Sequence, residues 1–132
     1  MTGTGQGGNP VIEAEQLAQL AAGAIHDKKG LDVELLDVGD LLVITDVFVI
    51  ATGTSNIHVR SLAEGVEETL ADEAERKPLR REGMEQGEWI LLDYGDLVVH
   101  LFQPEQREYY GLERLWLDAP RIPDIHPIST DA

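Results

Sequence analysis

The spacing of apolar residues along the chain predicts alternating helices and strands. Ala14, Leu17, Ala18, Ala21, Ala24 and Ile25 recur at three- and four-residue steps, which puts them on one stripe of a helix. Asn9-Pro10 supplies its N-cap and first residue, while Lys28, Lys29 and Gly30 suit its C-terminal end. Small alanines let such a helix lie close to the surface it covers. Val33 and Leu35 then alternate with Asp32 and Glu34, as in a short strand over 33–38. The apolar stretch 41–44 is too short to assign by period. Val47-Phe-Val-Ile-Ala51 is continuously apolar and rich in β-branched residues, so it reads as a central strand buried on both faces. It ends at Thr52-Gly53-Thr54-Ser55, where Ser55 or Asn56 can cap a helix with Val59, Leu62, Ala63, Val66 and Leu70 on its inner face. A strand, a polar glycine turn and a helix in succession suggest an α/β unit with a parallel component.

The most informative stretch is 89–102. Two apolar runs flank Asp93-Tyr94-Gly95-Asp96, a β-hairpin signature with Tyr94-Gly95 as its two-residue turn. Counting outward from that turn pairs Leu92 with Leu97, Leu91 with Val98, Ile90 with Val99 and Trp89 with His100. Because side chains alternate across a strand, Ile90, Leu92, Leu97 and Val99 share an aliphatic, core-facing side. Trp89, Leu91, Val98 and His100 share the other. An indole and an imidazole among aliphatics suit either a partner-binding surface or burial beneath a further helix.

Leu79 can begin a short edge strand before this hairpin, and 82–87 reads as a loop. Beyond it, Pro104 opens a helix with Tyr109, Leu112, Leu115 and Trp116 as apolar positions, and Gly111 can divide it into two pieces. Residues 1–10 read as a flexible tail and 120–132, with three prolines, as another. The folded unit is then 11–119: a single α/β domain with a mixed sheet of four or five strands and three helices.

Composition narrows the function classes. A chain of 132 residues with 42% hydrophobic content suits a single core. No apolar run reaches the roughly 18 residues needed to cross a bilayer. Residues 1–10 lack the basic and apolar regions of a signal peptide, which makes the cytoplasm the expected compartment. With no cysteine, disulfides and thiolate chemistry are excluded. A net charge of −15, from 25 acidic and 10 basic residues, repels phosphate backbones and argues against direct nucleic-acid binding. It suits a basic protein partner, although solubility alone also accounts for it.

Catalytic signatures are weak. The Gly53-Thr54-Ser55 turn at a helix start could cradle a phosphate, but it is neither a P-loop nor GxGxxG. Nucleotidyltransferases place Gly-Ser at such a turn, followed by an acidic pair for a divalent metal. No Asp-x-Asp follows here, and Asp93 and Asp96 are placed to satisfy turn amides. His26, His58, His100 and His126 are scattered, none at metal-ligand spacing, and there is no GxSxG elbow. No catalytic or metal-ligating constellation is expected, and no cofactor.

Several segments resemble the ribosomal silencing factor family, also called Iojap-like proteins. They are Asp27-Lys28-Lys29, Leu36-Asp37-Val38, Thr45–Ser55, His58-Val59, Glu82-Gly83, Trp89–Phe102, Arg107, Tyr109-Tyr110 and Leu112–Trp116, in order over about 11–119. Val47 departs from the family, which usually has an aromatic before Phe48. The resemblance implies a nucleotidyltransferase-like fold without catalytic carboxylates, and a non-enzymatic role. Family members bind the large ribosomal subunit through its fourteenth ribosomal protein, block joining of the small subunit and repress translation under nutrient limitation. Organellar relatives are tied to large-subunit assembly, and many members form homodimers. On this reading the docking surface combines Trp89, Leu91 and His100 with Tyr94 and Asp96 at the turn, extended by Tyr109 and Tyr110. The alternative is a nucleotidyltransferase-like enzyme or nucleotide-binding domain using Gly53–Ser55.

Overall fold

The computed structural model describes residues 13–39, 45–115 and 117–126. The elements run α1 (Ala14–Asp27), β1 (Leu31–Asp37), β2 (Val47–Thr52), α2 (Asn56–Ala74), β3 (Arg80–Glu82), β4 (Trp89–Asp93), β5 (Leu97–Phe102), α3 (Pro104–Tyr110), α4 (Leu112–Leu115) and β6 (Arg121–Ile122). The strands form one six-stranded sheet in the order β3-β4-β5-β2-β1-β6. Only β2 and β5 pair in parallel, with Val47 beside Leu97 and Thr52 beside Phe102. The other described pairs are antiparallel.

Strand β2 is buried along its whole length, as its unbroken apolar run predicts. Val47, Val49 and Ala51 face a core built with α1 and α2, whereas Phe48 and Ile50 face a second, smaller core. On the helical side Val59, Leu62, Ala63, Val66 and Leu70 are fully buried, so the periodicity of α2 names its inner face correctly. Ser55 caps α2, accepting the His58 N–H at 3.1 Å. Helix α1 starts at Ala14. Glu13 is its N-cap, and Gln16 Oε1 accepts the Glu13 N–H at 3.0 Å. The expected tail 1–10, the Asn9-Pro10 cap, the 41–44 stretch and Trp116 lie outside the described residues.

The hairpin differs from expectation by one residue at its turn. Tyr94 N–H donates to Leu97 O at 2.8 Å, so Gly95 and Asp96 are the loop residues and Tyr94 directly follows β4. Asp93 Oδ1 accepts the Gly95 N–H at 2.8 Å, and Gly95 takes a φ of +92° that a Cβ would strain. From α2's end, Arg76 Nη2 donates to Tyr94 O and Asp96 Oδ1, each at 2.8 Å. Moving the turn by one residue moves every cross-strand partner by two, giving Leu91 opposite His100 and Trp89 opposite Phe102. A shift of two leaves each side chain on its expected face.

The second correction is at the C-terminus. The prolines after Ala119 predict a tail, yet Arg121–Ile122 pairs with Leu35 and Leu36 as the sixth strand. Asp37 N–H donates to Pro120 O at 2.9 Å. Asp124 is then held between two imidazoles, with His26 Nε2 at 2.6 Å and His126 Nδ1 at 2.9 Å. Gln19 Nε2 also donates to Pro123 O at 2.8 Å. The His26 and Gln19 contacts span 98 and 104 positions, and local composition carries no trace of them.

Asp124 makes this attachment pH-dependent. Burial alone would raise its pKa, but hydrogen bonds from His26 and from the backbone and ring of His126 outweigh that and hold it below the ordinary 3.8. A depressed carboxylate pKa stabilises the folded chain above the unfolded value, and the benefit disappears as pH falls through the folded value. Thermal unfolding below about pH 4 should therefore lose stability more steeply in the unchanged chain than in Asp124→Asn, the two curves converging at the acid end.

Candidate docking face

Among the described residues, the sheet face away from α1 and α2 is only partly covered. Leu36, Val38, Phe48, Ile50, Phe102 and Ala119 form its core, and Leu112 of α4 packs on it. Toward β4 that cover runs out, leaving Trp89, Leu91 and Val98 half-buried. The corrected register sets the Trp89 ring on Phe102, 4.9 Å apart at 28°. Tyr110, the last residue of α3, lies 4.5 Å from Trp89, and Tyr109 meets Tyr110 edge-on at 5.0 Å. Tyr109 is 80% exposed and Tyr110 46%. The result is an aromatic ridge running from the buried Phe102 out to solvent.

An acidic groove adjoins the ridge. Glu88, Glu105, Gln106, Glu108, Tyr109 and Tyr110 line a cavity of about 580 Å³. On the β3 side, Arg80 lies 3.5 Å from both Asp93 and Glu82, giving the face a charged rim. Apolar centre and polar rim are the usual anatomy of a protein interface.

The structure separates the seven residues expected to dock. Trp89, Leu91, Tyr109 and Tyr110 come together on this face. His100 shares it but is only 5% exposed, so it sits beneath the ridge. Trp89 Nε1 donates to His100 Nδ1 at 3.2 Å, and Phe48 packs edge-on against the imidazole at 4.8 Å. An indole N–H can only donate, so Nδ1 must be the acceptor and Nε2 carries the proton. Nε2 is buried without a partner, and burial lowers the imidazole pKa to about 4. His100 therefore orients Trp89 as a neutral acceptor.

Tyr94 and Asp96 do not join the face. Tyr94 is 2% exposed and belongs to the helical-side core, because one residue of turn shift makes it an inward strand position. Burial raises its hydroxyl pKa, Glu67 adds to this, and Arg76 opposes it. Asp96 is engaged by Arg76. What sequence reading missed is Phe102, which carries the ridge; alternation from His100 along β5 was the available signal.

The turn at Gly53-Thr54-Ser55 is satisfied from within. Thr54 N–H donates to His58 Nδ1 at 2.9 Å, and Ser55 Oγ already holds the His58 N–H. The other His58 nitrogen meets Lys28 O at 2.8 Å, which requires Nε2–H and leaves Nδ1 as acceptor. The Thr54 and His58 amides that could grip a phosphate are thus already donating within the turn. Among the described residues no group of three histidines or carboxylates is placed to hold a metal ion, and no helix is long and apolar enough to cross a membrane.

Residues 11–132 match the family model described as ribosomal silencing factor during starvation. The chain belongs to the ribosomal silencing factor family. A ribosomal silencing factor from Halalkalibacterium halodurans is 41% identical over 108 residues, 82% of this chain and 92% of the relative. A crystal structure from Chromobacterium violaceum superposes with a TM-score of 0.76 at 36% identity, covering 89% of this chain and 97% of that one. A mouse relative named for mitochondrial assembly of the ribosomal large subunit is 31% identical over 94 residues, 70% of this chain and 41% of its own length. The half-exposed ridge and acidic groove thus belong to a member of the ribosomal silencing factor family.

His100 yields a direct test. Between about pH 4 and the ordinary 6.5, the unfolded imidazole binds a proton that the folded one refuses. Stability should be full above 6.5 and decline as pH falls toward about 4. His100→Phe should flatten that part of the curve in chemical denaturation at successive pH values.

Proposed function

We propose that this chain represses translation by docking its aromatic ridge on the large ribosomal subunit. As the family resemblance implies, the contact is the fourteenth ribosomal protein at the subunit-joining surface. The bound domain then occludes the small subunit sterically, in the cytoplasm, without chemistry of its own. The observation that carries this reading is the half-buried Trp89, backed by Phe102 and flanked by the exposed Tyr109 and Tyr110 in a member of this family. Partly exposed tryptophan and tyrosine are typical interface anchors, able to bury much area on contact. A net charge of −15 favours encounter with a basic ribosomal protein.

A role in large-subunit assembly is the second reading, supported by the name of the mouse relative. Sedimentation of purified large and small subunits with the protein separates the two. Silencing predicts comigration with large subunits and a smaller joined-ribosome peak; comigration with joining intact favours assembly. Absence from both subunit peaks would end the ribosomal reading. Trp89→Ala should weaken large-subunit binding by ~2 kcal/mol or more, about thirtyfold. Ile125→Ser, changing an exposed apolar residue on the C-terminal segment beside α1, should bind as the unchanged protein does. Binding should also weaken as salt rises, because the steering charges are exposed.

A further inference from the structure

Helix α3 carries two tyrosines of the ridge yet contributes no buried residue to either core. A seven-residue helix has too few turns to hold itself in water, so its position must come from tethers. Its entry is held by Gln103, whose N–H donates to Glu88 O at 2.9 Å and whose Nε2 donates to Gly87 O at 3.0 Å. Arg114 Nη2 reaches Glu108 O at 3.0 Å from an exposed position.

A further tether, beside the packing of Tyr110 on Trp89, is Arg107, with a side chain only 11% exposed. Its Nε and Nη2 both donate to Glu113 Oε2, at 3.0 and 2.7 Å. Its Nη1 donates to Thr52 Oγ1 at 2.9 Å and to Asp32 O at 2.6 Å. One guanidinium thereby joins α3 to α4, to the end of β2 and to β1. The β1 site is unusual: Asp32 has a φ of +50°, within an irregularity that shifts the β1–β2 register between Leu31 and Glu34. The left-handed backbone of this non-glycine residue carries strain, and its carbonyl is the one that accepts from Arg107. Glu113 is matched to the same group. Burial would raise its pKa, but hydrogen bonding and charge from Arg107 outweigh that and lower it.

We infer that Arg107 is a positioning residue for partner binding, holding α3 so that Tyr109 and Tyr110 are preset beside Trp89. This rests on the docking reading above. A preset ridge avoids ordering two aromatic side chains and their helix at the moment of contact, which is a gain in affinity without a new contact. Tyr110 stands three residues, about one helical turn, beyond Arg107, so releasing the guanidinium frees it directly.

The test is a double-mutant cycle read by sedimentation with purified large ribosomal subunits, with thermal unfolding run on every variant. Arg107→Gln should bind about tenfold more weakly than the unchanged protein while remaining folded at the assay temperature. Arg107→Lys keeps the charge but cannot span three acceptors, and should fall between them; it also carries the test if Arg107→Gln does not fold. In a Tyr109→Ala/Tyr110→Ala background the Arg107 substitutions should cost nothing further, because the groups they position are gone. An equal loss in both backgrounds, or none in either, overturns the positioning role while leaving docking intact. Normal binding by the double tyrosine variant, or no binding by the unchanged protein, overturns the docking reading and this inference together.

Discussion

A strand that is apolar on both sides must be covered on both sides, and β2 imposes that demand on the rest of the chain. Val49 and Ala51 draw α1 and α2 onto one face, where the alanines of α1 permit close approach. Phe48 and Ile50 require cover on the other face, where among the described residues α4, Ala119 and a set of aromatics supply it. The parallel partner of β2 is β5, reached only after α2, β3 and β4 have been laid down. Two faces of unequal cover follow among the described residues, and the proposed docking surface lies where the thinner layer ends.

The aromatic ridge is that boundary. Phe102 is fully buried, Trp89 is half-buried above it and Tyr109 stands in solvent. Such a gradient backs each exposed ring with a more buried one. His100 contributes from beneath, at the expense of a buried N–H without a partner. An unsatisfied donor costs on the order of 1–3 kcal/mol. Its retention is understandable if the opposite nitrogen fixes the indole, since a hydrocarbon at that position would pack but could not accept the Trp89 N–H.

The turn and the C-terminal segment illustrate how far local chemistry reaches. The Asp-Tyr-Gly-Asp signal located the hairpin and its faces, while the choice between Tyr94-Gly95 and Gly95-Asp96 as loop residues rested on more distant groups. Arg76 at the end of α2 binds the turn, and the buried Tyr94 adds apolar area to the helical core. Both favour the register seen, and neither is visible in four residues of sequence. Ser55, by contrast, was legible as a cap because its hydrogen bond spans three residues.

By itself the sequence determined the helix stripes, the two-sided burial of β2, the alternation along β4 and β5, and the family to which the chain belongs. Each depends on spacing of a few residues, where backbone geometry translates directly into pattern. Only the tertiary structure decided which of the seven expected docking residues share a surface. Trp89, Leu91, Tyr109 and Tyr110 do; His100 is beneath it, and Tyr94 and Asp96 serve the hairpin turn. It also decided that 121–122 is a strand and that Arg107 ties α3 to three other elements. Those outcomes depend on contacts between residues far apart in the chain, and such contacts exist only once burial has brought the elements into one core.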